Sequence, residues 1–314
     1  MSTPIYSFVV PLYNESDSFS KLVERLNAIM KVVPFEMEAV LIDDGSKDQT
    51  PELMRVLALQ DNQYQCVFLA RNYGHQIALS AGLKHARGEK AVMVIDGDLQ
   101  DPPELFADFL AEFDKGYDVV YAVRKKRKEG MVKKTFYSLF YHVLKSISYI
   151  DLPIDSGDFS LISRRVVDVI NQMPEESRFI RGMRAWVGFK QTGLEYERQE
   201  RYAGTPKYDF KMLFRLAYNG IFNFSEFPVK FISVLGMLSV SISILYFFVS
   251  LYLKMKGHNV PGFTGLLFTI ILFGGVQLIS IGVLGEYLLR IFFQSKQRPL
   301  FVIKEIILDK KTIN

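Results

Sequence analysis

Two stretches of this 314-residue chain carry no charge, Phe231–Leu253 and Val260–Gly285. A helix needs about 20 residues to cross the hydrocarbon core of a bilayer, and each stretch is long enough. The alternative, two buried helices of a soluble core, is disfavoured by that length. The chain is therefore expected to place two transmembrane helices, about 230–253 and 261–287, within a membrane region of 229–290. Cations crowd the flanks: Lys207, Lys211, Arg215 and Lys230 before, and Arg290, Lys296, Arg298, Lys304, Lys310 and Lys311 after. By the positive-inside rule this predicts an inner-membrane, multi-pass protein whose two termini both face the cytoplasm. The opening MSTPIYSFVVPLY has neither a basic leader region nor a small-residue cleavage site, so it reads as a strand and not as a signal peptide. Cys66 is the single cysteine, which excludes an internal disulfide and suits a reducing compartment. The net charge of +4 is modest and shows no nucleic-acid signature. Beside two spans, a basic surface points to the bilayer and its anionic head groups.

The first 125 residues alternate in kind. Apolar, β-branched runs at Ser7–Tyr13, Ala39–Asp43, Cys66–Ala70, Ala91–Asp96 and Val119–Val123 are separated by helical patterns at Ser18–Val33, Pro51–Gln60, Gln76–Ala86 and Pro103–Lys115. That order predicts an α/β fold with a mostly parallel sheet and a ligand site at the carboxyl ends of its strands. Four strand ends are strongly polar: Tyr13-Asn14-Glu15, Asp43-Asp44-Gly45-Ser46, Arg71-Asn72-Tyr73-Gly74 and Asp96-Gly97-Asp98. Residues 124–148 pair a dense run of cations with aromatics at helical spacing. They read either as a basic amphipathic helix on a membrane surface or as a solvated helix packed on the sheet. The expected organisation is a cytoplasmic catalytic domain over 1–208, a juxtamembrane interface helix over 209–228, the spans, and a cytoplasmic tail over 291–314.

The segment VMVIDGDLQDPPE, residues 92–104, runs from a buried strand into clustered acids. Carboxylates this close repel one another, so something positive is expected among them. A calcium hand counted from Asp96 would need Gly and Glu where Asp101 and Ala107 stand, and that reading fails. GxxxxGK[ST] and GxGxxG are both absent, which removes P-loop ATPases and Rossmann dehydrogenases. A Mg²⁺ or Mn²⁺ site remains: hard ions that take one or two carboxylates plus substrate phosphates. Asp98, helped by Asp96, is the expected metal pair.

The ordered set VVPLYNE, LIDDGSKDQT, LARNYGHQIALSAGL, VIDGDLQDPPE, GDFSLISR and RYAGTPKY resembles glycosyltransferase family 2. Within it, the chain is most similar to the polyprenyl-phosphate (dolichol- or undecaprenyl-phosphate) hexosyltransferases with two C-terminal membrane helices. The resemblance spans about residues 4–300 and implies a GT-A-type domain, that is, a nucleotide-diphospho-sugar transferase fold. It implies a nucleotide-sugar donor held by Pro11, Tyr13, Asn14, Glu15, Asp43, Asp44, Arg71, Asp96, Gln100, Arg201 and Lys207, with metal at Asp98 and Asp96. It further implies a catalytic base at Asp158 and an acceptor phosphate held by Arg124, Lys134 and Ser138. Two departures stand out: Thr205-Pro206 replaces a commoner Ser in the diphosphate clamp, and Lys134 stands where Arg is usual. His75 is read as a packing or capping residue.

The function implied is inverting transfer of one hexose to polyprenyl phosphate at the cytoplasmic membrane face, with UDP-glucose favoured over GDP-mannose. A processive polysaccharide synthase is the enzyme alternative. Its Q-x-x-R-W motif has only an out-of-register counterpart in Arg181-Gly182-Met183-Arg184-Ala185-Trp186. A non-catalytic membrane scaffold is the other alternative, opposed by the presence of Asp96, Asp98 and Asp158. Gly274-Gly275, Gly282 and Gly285 leave room for a homo-oligomer through close helix packing.

Overall fold

The computed structural model describes residues 3–125, 156–197, 227–257 and 262–313. The chain divides into two compact units, one of Met1–His142, Ile150–Leu213 and Arg298–Asn314, the other of Val143–Tyr149 and Phe214–Gln297.

The first unit is built on strands that are buried at every position: β1 (Tyr6–Leu12), β2 (Met37–Asp43), β3 (Tyr64–Leu69) and β4 (Ala91–Val94). Their near-continuous apolar runs suit strands covered on both faces. They pair in parallel in the order β3-β2-β1-β4. Strands β5 (Val119–Arg124), β6 (Ser156–Ser163) and β7 (Gln191–Tyr196) extend the β4 edge, with β6 antiparallel between β4 and β5. The mostly parallel core thus carries an antiparallel strand near its middle.

Alternation along the strands sorts side chains to two layers. Phe8, Leu41, Phe68 and Met93 meet α1 (Ser16–Val32), α2 (Thr50–Gln60) and α4 (Phe106–Phe113) through Leu22, Leu26, Met54, Phe106 and Phe109. Val9, Val40, Val67 and Val94 meet α3 (His75–His85), α5 (Arg164–Gln172) and α6 (Ile180–Trp186) through Leu79, Val166, Ile170 and Met183. The helix predicted over Pro103–Lys115 is split, because Pro102 and Pro103 open it as a 3₁₀ turn over Pro103–Leu105.

Within the tail expected over 291–314, Ile303–Leu308 forms β8 antiparallel to β3, and Lys311–Ile313 forms β9 beside it. Ile307 is fully buried, and Glu305 pairs with Arg55 at 3.0 Å. The partner of β8 lies about 240 residues earlier, a pairing that local pattern cannot reveal.

The second unit's described residues form two long helices, α7 (Phe227–Met255) and α8 (Phe263–Ser295), both long and apolar enough to cross a membrane. Their large apolar side chains face outward, with Leu245 65% and Leu278 72% exposed. Such surface is stable only against lipid or another apolar face. The basic segment 126–148 and the juxtamembrane stretch 209–226 lie outside the described residues.

Candidate active site

Sheet register gathers the site. In parallel pairing Val9 lies opposite Val94, so the ends of β1 and β4 emerge side by side, at the point where chain order reverses from β1 to its two neighbours. Strand β6 runs the other way, with Ser160 opposite Val94. Continuing that register by two residues sets Asp158 against Asp96. Two acids on strands well separated in the sequence are thereby brought to one edge.

Between them lies a cation. Nε2 of His75, the first residue of α3, is 3.5 Å from Oδ1 of Asp96 and 3.3 Å from Oδ2 of Asp158. Arg181 of α6 grips Asp158 from another direction, Nε to Oδ1 at 3.0 Å and a terminal nitrogen to Oδ2 at 3.2 Å. Gln76 donates to Oδ2 of Asp158 at 2.8 Å, while its own carbonyl accepts the Ile180 N–H at 2.8 Å. Gln76 thus ties the start of α3 to the start of α6.

The electrostatics follow from these contacts. Burial works to raise the Asp158 carboxyl, but Arg181 and His75 outweigh it and hold it far below the ordinary carboxylate range. Asp96 moves the other way: burial and then its acidic neighbours Asp101, Asp98 and Asp158 push it up to about 6 against the pull of His75. Burial disfavours a charged His75, yet Asp96 and Asp158 raise it to about 9, so the ring is an imidazolium at neutral pH. Oδ1 of Asp96 is buried and makes no hydrogen bond among the described residues.

The turn after β4 is strained. Leu99, 3% exposed, sits at φ +59°, a conformation that costs an L-residue roughly 1–2 kcal/mol. Burial of its side chain holds it there, and Asp98 Oδ1 accepts the Gln100 N–H at 3.1 Å. Asp98 and Gln100 are both left half-buried. Next in sequence, Asp101 is buried and hydrogen-bonded to the Tyr196 hydroxyl, which Arg124 Nε approaches at 3.4 Å.

Other predicted residues are placed as loop architecture. Pro11 is buried in β1, and Tyr13 is half-buried just beyond it. Asn14, at φ +52°, donates its N–H to Ser46 Oγ and accepts the Lys47 N–H, while Glu15 accepts from the Ser18 hydroxyl. Asp43 is buried, raised by that burial, and accepts the Ser46 N–H. Asp44 gives both oxygens to backbone, to Tyr73 N–H at 2.7 Å and Gly74 N–H at 2.9 Å. Arg71 is exposed, its guanidinium 4.0 Å from the Tyr73 ring centroid. Lys134, Ser138, Arg201 and Lys207 lie outside the described residues.

Sequence reasoning missed His75, Gln76, Asp101 and Arg181. His75, read from sequence as a packing or capping residue, does begin α3, and its ring also lies within 3.5 Å of both Asp96 and Asp158. Arg181 had a visible signal, the RGMRAW stretch, but what it faces is set by the position of α6. Its neighbour Arg184 is buried, its three guanidinium nitrogens making no hydrogen bond among the described residues, 5.2 Å from the Tyr121 ring centroid. Burial draws it down to about 10, which leaves it charged at neutral pH.

Residues 7–170 match the family model described as glycosyl transferase family 2. An uncharacterized glycosyltransferase of Bacillus subtilis, YkcC, is 42% identical over 96% of this chain and 93% of its own length. A bactoprenol glucosyl transferase of Shigella phage SfV is 40% identical over 95% of this chain and 97% of its own. The prophage bactoprenol glucosyl transferase homolog of Escherichia coli K12 is 37% identical over 96% and 98%.

Proposed function

The chain belongs to glycosyltransferase family 2, and from that premise we propose that it transfers one glucose from a nucleotide sugar, UDP-glucose by preference, to a polyprenyl phosphate. Near-full-length similarity to bactoprenol glucosyl transferases supports the acceptor and the sugar. The observation that carries the chemistry is the state of Asp158. Arg181, His75 and Gln76 occupy its oxygens, and its proton affinity is far below that of an ordinary carboxylate. A hydroxyl acceptor would need a base there. A phosphate monoester, with a second pKa near 6, arrives already ionised. Asp158 then serves to orient Arg181 and His75, whose charges face the anionic reactants.

The reaction read this way is a single displacement. A phosphate oxygen of the lipid attacks the anomeric carbon, the bond to the nucleoside diphosphate breaks, and configuration inverts. The residues suit a divalent ion at Asp98 and Asp96. Asp96 presents a buried, unbonded oxygen among acids, although no group of three or more His, Cys, Asp or Glu side chains gathers as a ready-made cage among the described residues. Two carboxylates plus substrate phosphates is the usual Mg²⁺ arrangement, and the bound ion would neutralise charge on the departing diphosphate. Arg124, which approaches the Tyr196 hydroxyl bonded to Asp101, is proposed to take the acceptor phosphate, with Lys134 and Ser138 as its partners.

That the segments before and after the two apolar helices share one side of the membrane is supported by chain connectivity, and the cations flanking those helices favour the cytoplasm as that side. The strands before the two apolar helices and those after them share one sheet, and two crossings return a chain to its starting side.

The test is transfer of radiolabel from a panel of UDP- and GDP-sugars to undecaprenyl phosphate by purified protein with Mg²⁺ or Mn²⁺. Label from UDP-glucose entering the organic phase, lost with Asp98→Ala, is the expected outcome. Water-insoluble polymer would replace this reading with a synthase.

A further inference from the structure

The strand that follows the second apolar helix ends its approach at the donor loop. The Val302 carbonyl accepts the Ala70 N–H at 2.9 Å, and the Val302 N–H donates to the Tyr73 hydroxyl at 3.2 Å. These two bonds bracket Arg71 and Asn72. The β3–β8 register slips between Phe68 and Leu69, directly before this bracket. Such a slip re-aims the chain that follows it.

An overlapping stretch, residues 71–74, is held by a second segment. Asp44 accepts the Tyr73 and Gly74 N–H groups, and Gly45, at φ +69°, lies so close that a Cβ there would come within 2.5 Å of the Arg71 carbonyl carbon. Tyr73 is the one residue in both sets of contacts, and its ring also carries the exposed Arg71 guanidinium. His75 follows two residues later.

We propose that Tyr73 is a positioning residue for the nucleotide-sugar site, and that the chain emerging from the second apolar helix takes part in donor binding through it. The inference rests on the nucleotide-sugar reading of the site given above. Its physical basis is pre-organisation. A loop already fixed at both ends has less conformational freedom to lose when a diphosphate arrives, so more of the interaction appears as affinity. Tyr73 supplies a ring for Arg71 to lie on and a hydroxyl for Val302 to hold. Ser295 ends α8, so six residues separate the apolar helix from Val302 of this clasp.

The experiment uses the full chain in lipid nanodiscs. Tyr73→Phe keeps the ring and removes the hydroxyl; Tyr73→Leu removes both. Amide exchange of a peptide covering 70–76 and the KM values for UDP-glucose and for polyprenyl phosphate are read together. Glu305→Gln is the control, since it weakens β8 at Arg55, away from the loop. Tyr73→Phe should speed exchange in 70–76 and raise the donor KM about three- to tenfold, the size of one ordinary hydrogen bond. The acceptor KM and kcat should stay near wild type. Tyr73→Leu should raise the donor KM further, and Glu305→Gln should lower thermal stability at constant KM. Unchanged exchange in Tyr73→Phe would overturn the clasp. Faster exchange with an unchanged donor KM would overturn its role in binding. If the wild type transfers no sugar, the parent reading fails, while the exchange data still judge the clasp.

Discussion

The first unit buries carboxylates at both ends of its sheet, and the two ends treat them differently. At the amino end of β2, Glu38 is 2% exposed and fully engaged. It accepts from the Ser7 hydroxyl at 2.7 Å, the Arg87 N–H at 2.6 Å and Arg87 Nε at 2.8 Å, and Arg87 reaches on to Asp309. At the carboxyl end, Asp96 has a buried oxygen with no hydrogen bond and is crowded by like charges. The first arrangement is complete without help. The second, with His75 at 3.5 Å and acidic neighbours around it, leaves electrostatic work for something that binds.

The widest separation should come from exchanging the roles by mutation. Asp98→Asn is expected to lower glucosyl transfer about 10²–10³-fold, in the range seen when one preorganised electrostatic contact is lost. Its melting temperature should hold or rise, since like-charge repulsion is relieved. Glu38→Ala should do the reverse. It breaks a buried, hydrogen-bonded ion pair, at a cost of about 3 kcal/mol or more, with the specific activity of the folded protein retained. Activity assays beside thermal melts decide the comparison, and a Glu38 variant that stays stable but loses activity would break it.

A pH profile sharpens the contrast. In metal-free protein His75 is raised from its ordinary 6.5 to about 9. Its contribution to stability is therefore full below 6.5 and is lost as pH rises through 9. Asp158, held low, contributes above its ordinary value near 3.8 and loses that contribution as acid protonates it. Melts of wild type and His75→Gln from pH 6 to 10 should differ most at pH 6 and converge at the alkaline end. Parallel curves would show that the imidazolium is not formed.

The smallest effect expected is that of Gly45→Ala. Its positive φ and the 2.5 Å approach to Arg71 mean that a methyl group must push the donor loop outward. A loss of about 1 kcal/mol or more, with a raised donor KM, should be visible in the same assays.

Much of this molecule was legible in its residues. Continuous apolar runs bounded by acids marked β1, β2, β4 and their carboxyl-end site, because burial on both faces leaves no alternation to misread. Two uncharged runs marked the two long apolar helices, because length and apolarity are legible residue by residue. Family motifs singled out Asp96, Asp98 and Asp158 by type. What the residues could not say is what each acid faces. Asp158 reads in sequence as a base. Only the antiparallel insertion of β6 against β4, and the seating of α6, set it between Arg181 and His75, the contacts on which its proposed orienting role rests. The tail likewise became β8 through a partner about 240 residues away. Local pattern determines which surfaces must be buried and which ions must stay wet. Proton affinity and loop position depend on neighbours within a few ångströms, and those are chosen by strand register and helix packing across the whole chain.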